Sequence, residues 1–140
     1  MDFNFIDQSK FVITNYSYSD FDNIVNRYGY QQEKNGFLHN YFDWKYLQHW
    51  AFDYQIFNEK DLSNLFMKSV VVKESVSFLI RLQSYQPLIQ INSIDLAAML
   101  DDFCRETGMG WEAVSLNGKY IMEFTDNFEH KAKSNFVILS

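Results

Sequence analysis

The chain has one cysteine, one proline and five glycines in 140 residues, and no uninterrupted apolar run approaches a membrane span. The lone Cys104 excludes an internal disulfide and fits a reducing compartment. The N-terminal stretch MDFNFIDQSKF has an acid at position 2 and no basic segment before an apolar run, so no signal peptide is expected. A soluble, cytoplasmic protein without membrane contact is the expectation. Low-complexity tracts are absent, as are internal repeats on the order of 20–50 residues. Basic charge is sparse too. Its densest stretches, around Lys68 and Lys73 and at Lys131 and Lys133, hold two charges each. That is too little for a basic groove, so direct nucleic-acid binding is not expected.

What the sequence does have is aromatic and apolar mass: 14 Phe, 9 Tyr and 3 Trp, with nearly half of all residues hydrophobic. One compact domain over residues 1–140 follows from length, and a protein this size buries roughly 68–70% of its unfolded surface. The net charge of −6 is concentrated. Asp95, Asp101, Asp102, Glu106, Glu112, Glu123, Asp126 and Glu129 face only Arg105 and Lys119 in the same window, while the remaining residues balance to zero. Such asymmetry marks a candidate interaction surface.

Local patterns predict an α+β domain: an antiparallel sheet with about three or four helices. A short strand is expected at Lys10–Thr14. Ser19 reads as the cap of a helix carrying Phe21, Ile24, Val25 and Tyr28 and closed by Gly29. Residues 41–57 fit two periods. Alternation favours a strand, whereas a shared 100° arc, the length of the run and the lack of β-branched residues before Ile56 favour a helix. Asn58 with Asp61 resembles a capping box for a helix through Lys68. VVVKESVSFLIRLQ (70–83) reads as one long strand or two short ones. Pro87 marks a turn before the strand at 88–91. Asn92 and Asp95 open a helix whose Leu96, Leu100, Phe103 and Thr107 share a face, ended by Gly108. Asn117-Gly118 predicts a two-residue hairpin turn, which sets Val114 opposite Ile121, Glu112 opposite Glu123 and Trp111 opposite Phe124. A final strand is expected at 134–140.

Several residues resemble chemistry. His39 and Asp43 recur as His49 and Asp53, ten residues on. A helix would separate the pairs by about 15 Å with a rotation of about 80°, and a strand by about 33 Å. Neither lets both pairs hold one ion, so no metal is expected. Under either reading Lys45, His49 and Asp53 lie opposite Trp44, Tyr46, Trp50 and Tyr54, a solvated face backed by aromatics. Cys104 in DDFCRETG sits among acids that would raise a thiol pKa, and beside Leu100 and Phe103 it reads as a buried apolar residue. Gly108-Met-Gly110 follows a helix rather than opening one, so it is not a phosphate loop. The acids lack the spacing of a Ca²⁺ loop.

The acidic window carries more weight. Glu112 and Glu123 directly across a ladder repel each other, and Asp95, Asp102 and Glu106 line one side of the preceding helix beside Asp101. Charge unanswered within the window reads as a solvated face that keeps the protein soluble, or as charge awaiting an answer from outside, from a basic partner or a cation. The whole sequence, in its size, acidity and wealth of Tyr and Trp, resembles the immunity proteins of bacterial polymorphic and contact-dependent toxin systems. That resemblance implies a non-catalytic, cofactor-free protein that binds a basic, nuclease-type toxin domain; the acidic window supplies the expected contact face, Asp95, Asp101, Asp102, Glu106, Glu112 and Glu123, with Asp126 and Glu129 at the periphery. Two alternatives stay open: an adaptor or assembly protein using an aromatic patch, and a small enzyme using Glu112 and Glu123, or a His-Asp pair, for acid–base work.

Overall fold

The computed structural model describes residues 8–30, 32–35, 39–42, 54–81, 88–106, 110–125 and 131–139. Within them lie four α-helices, α1 (Tyr18–Arg27), α2 (Glu59–Met67), α3 (Val70–Lys73) and α4 (Ser93–Glu106). The strands are β1 (Phe11–Ile13), β2 (Gln32–Asn35), β3 (His39–Phe42), β4 (Gln55–Asn58), β5 (Ser77–Arg81), β6 (Ile89–Asn92), β7 (Trp111–Ser115), β8 (Ile121–Thr125) and β9 (Lys131–Ser134). Seven form one antiparallel sheet in the order β1-β6-β5-β7-β8-β9-β4, and β2 pairs with β3 apart from it. The α+β architecture is as expected. Among the described residues no helix is long and apolar enough to cross a membrane.

The sheet is covered on both faces. On one, α2 and α4 supply Leu62, Phe66, Leu96, Leu100 and Phe103, which pack on Phe78, Ile80, Trp111, Ala113, Met122 and Phe124. On the other, Phe21 and Val25 of α1, with Tyr30 and Phe42, pack on Leu79, Leu88, Val114 and Ile121. Strand alternation assigns each residue to a face, and two covered faces leave a central strand no solvated side. All five residues of β7 are buried.

Several local expectations shift. Ser17, not Ser19, caps α1: its hydroxyl accepts from the Asp20 N–H, and the Asp20 carboxylate accepts from the Ser17 N–H. Asn58 precedes α2 as expected, but its carboxamide makes no capping bond. The valine run is a helix. Val70–Lys73 forms one turn because Val71 is buried in the core and the Val70 N–H bonds the Val137 carbonyl, so packing overrides β-propensity. Ser75, at φ 55°, then redirects the backbone into β5.

The last strand comes earlier than expected, at Lys131–Ser134. Asn135 ends the ladder by accepting the Ile121 N–H on its own carboxamide, and Ile138 then bridges to Ser69. At the two ends of the ambiguous segment, residues 41–42 and 55–57 are strand rather than helix. Residues 43–53, which hold Asp43, Trp44, Lys45, Tyr46, His49, Trp50 and Asp53, lie outside the described residues, as do Pro87, Thr107 and Gly108.

Candidate functional site: a buried glutamate–arginine network and an acidic helix

β7 and β8 place Glu112 opposite Glu123 and Trp111 opposite Phe124, the register that the sequence predicts. The turn differs. The Gly118 N–H bonds the Ser115 carbonyl at 2.9 Å, so Leu116 and Asn117 are its central residues. A two-residue Asn-Gly turn needs positive φ at both positions; here Gly118 has it, at 74°, and Asn117 does not. A β-carbon on Gly118 would also collide with the Tyr28 ring.

Glu112 and Glu123 are not on an open surface. They are 1% and 5% exposed. Trp111 and Ala113 point into the helix-covered core, so Glu112 points to the opposite face, beneath α1. This corrects the expectation that both carboxylates belong to an exposed acidic contact face.

Their charge is met from inside. Arg81 lies opposite Glu112 in the β5–β7 ladder, and its Nε donates to Glu112 Oε2 at 3.1 Å. Its Nη1 reaches Asp22 Oδ1 on α1 at 2.8 Å, and its guanidinium lies 4.4 Å from the centroid of the Phe21 ring. Glu123 Oε2 accepts the Phe42 N–H at 3.0 Å, and Lys133 stands opposite Glu123 in the β8–β9 register. One guanidinium thus ties helix to sheet, and one carboxylate ties residue 42 to the same face. The arrangement is a clamp on the second layer.

The remaining acids divide. Asp101 is exposed, Asp95 and Asp102 are half-buried on α4, and Asp102 pairs with the exposed Arg105. Glu106 is the last residue of α4; Asp126 and Glu129 lie outside the described residues. Cys104 is buried in the helix-covered core, as expected. His39 lies in β3, and among the described residues no three His, Cys, Asp or Glu side chains are grouped to hold a metal.

Sequence reasoning passed over Arg81 and Asp22. The available signal was a lone base inside the apolar run SFLIRL, a position that is rarely left without a partner. Two tyrosine contacts were missed as well: Tyr28 and Tyr30 donate from their hydroxyls to the Leu116 and Gly118 carbonyls, each at 2.7 Å. They join the end of α1 to the β7–β8 hairpin.

Burial pushes the Tyr30 phenol up to about 12. A raised folded-state pKa means that its contribution is intact below the unfolded phenol's value near 10 and is lost as pH rises through about 12. Wild type is therefore expected to lose at most about 3 kcal/mol across that window, while Tyr30→Phe lacks this component. Urea midpoints measured at stepped alkaline pH check this; parallel curves for the two proteins would refute it.

No protein family, curated protein or solved structure matches the sequence.

Proposed function

We propose that the protein is a non-catalytic binding protein of the immunity type, neutralising a basic, nuclease-type toxin domain through the outer side of α4. The observation that carries this reading is the division of the acids. Glu112 and Glu123 engage Arg81 and the Phe42 N–H inside the fold, whereas Asp95, Asp101 and Asp102 remain at the surface of one helix. The internal engagement supports a structural rather than an acid–base part for the two glutamates. An acidic helix surface accelerates encounter with a basic partner and matches a groove built for phosphates. The Asp102–Arg105 pair, with Arg105 exposed and Asp102 half-buried, contributes only about 0–1 kcal/mol, so a partner's base competes for Asp102 at small cost.

Salt dependence tests the reading. Association with a basic toxin domain encoded beside this protein is expected to slow steeply as ionic strength rises, because exposed charges are screened beyond about 8 Å at physiological salt. Binding indifferent to salt would favour the adaptor alternative, in which apolar surface carries the contact. The exposed apolar surface nearest to that reading is aliphatic rather than aromatic: Val12 and Ile13 of β1, at the end of the strand order among the described residues, are 63% and 51% exposed. Neither mode requires a cofactor.

A further inference from the structure

We propose that Asn117-Gly118 is a latent self-modification site, at which Asn117 deamidates once the hairpin tip opens and is protected while Tyr28 and Tyr30 hold the tip closed. The reaction needs only water. The deprotonated backbone nitrogen of Gly118 attacks Cγ of Asn117, forming the new ring bond of a succinimide. The bond from Cγ to the amide nitrogen Nδ2 breaks, and that nitrogen leaves as ammonia with the proton. Water then adds to either imide carbonyl, giving aspartate or isoaspartate. Glycine in the following position favours the attack because no side chain shields its nitrogen.

The folded turn opposes each requirement. The Gly118 N–H is engaged by the Ser115 carbonyl at 2.9 Å, so the nucleophile is occupied. The Asn117 Oδ1 accepts from the Ser115 hydroxyl at 2.6 Å and from the Lys119 N–H at 3.0 Å, which fixes the carboxamide away from ring closure. The tip is then held from outside by the hydroxyls of Tyr28 and Tyr30 on the carbonyls that flank Asn117, at Leu116 and Gly118. Burial keeps the Tyr30 phenol protonated, and so still a donor, in the mildly alkaline range where succinimides form. Asn117 itself is exposed, so water reaches it once the backbone is released. Isoaspartate would add a backbone methylene at the tip and prevent the turn from re-forming, leaving a permanent mark on any molecule that had opened.

Peptide-mapping mass spectrometry after incubation in mildly alkaline buffer tests this. The folded wild type is expected to retain Asn117 over an interval in which the urea-denatured protein loses it. Tyr28→Phe/Tyr30→Phe, which keeps both rings, is expected to deamidate about tenfold faster than wild type while remaining folded, the scale of two hydrogen bonds lost at a locally opening turn. Asn117→Gln identifies the signal. Should circular dichroism show the double variant unfolded, Tyr28→Phe alone, at a residue 38% exposed, makes the comparison. The proposal is overturned if folded wild type deamidates as fast as the denatured protein, or if a folded hydroxyl-deleted variant deamidates no faster than wild type.

Discussion

Arg81→Met is expected to destabilise the fold by about 3–5 kcal/mol in urea unfolding, among the largest effects of any single substitution in this protein. The size comes from what is left behind. Arg81 is 1% exposed and sits between Glu112, also 1% exposed, and Asp22. Removing the guanidinium takes the Arg81 charge away from a buried carboxylate that lies across the ladder from a second one, Glu123. It also releases α1, which the Asp22 contact and the Phe21 ring tie to β5. The pair itself is a different quantity. Arg81→Met/Glu112→Leu removes both buried charges and is expected to regain most of the loss, since a packed apolar pair often equals or exceeds a buried ion pair. A cost below about 1 kcal/mol for Arg81→Met, the scale of an exposed pair, would contradict the network's part in tying α1 to the sheet.

Phe66→Ala should cost about 3–5 kcal/mol by the same measurement, for a different reason. Phe66 is fully buried on α2, with ring centroids 6.2 Å from Phe78 of β5 and 5.3 Å from Phe136 after β9. Phe136 in turn stacks on Phe57 of β4 at 4.4 Å. One ring therefore joins helix, central strand and C-terminal segment, and its truncation leaves a cavity touching all three. Loss near the upper end of the range would mean the cavity stays open; loss near the lower end would mean Phe136 moves in.

The elements legible in the sequence were those specified by neighbours. Asn117-Gly118 between two apolar-rich runs set the β7–β8 register, which holds although the turn itself differs, and Leu96, Leu100 and Phe103 at helical spacing marked the buried face of α4. Distant partners decided the rest. VVVK is helical because Val71 enters a core built largely by α2, α4 and the central strands, a contact that β-propensity does not contain. The reversal at Glu112 and Glu123 has the same origin. The register set them on one face, but only pairing with β5 brings in Arg81, 31 positions away, and only the α1 layer buries that face. Two acids opposed on a ladder looked like charge awaiting an external partner. The fold supplies the answer from Arg81 and the Phe42 N–H, and the surface acids contract to those of α4.

The proposed function rests on that separation of inward from outward acids. Asp95→Lys/Asp101→Lys/Asp102→Lys can be compared with wild type for both thermal unfolding and affinity for a basic toxin domain of the kind the proposal requires. The triple variant is expected to stay folded with a moderately lower unfolding temperature, because Asp95 lies in the first turn of α4, where a negative charge contributes about 0.3–1 kcal/mol, and the Asp102–Arg105 pair adds about 0–1 kcal/mol. Its binding should weaken by about a hundredfold or more, as reversed charges now face a basic surface. A triple variant that stays folded and binds the toxin domain undiminished would contradict the proposal.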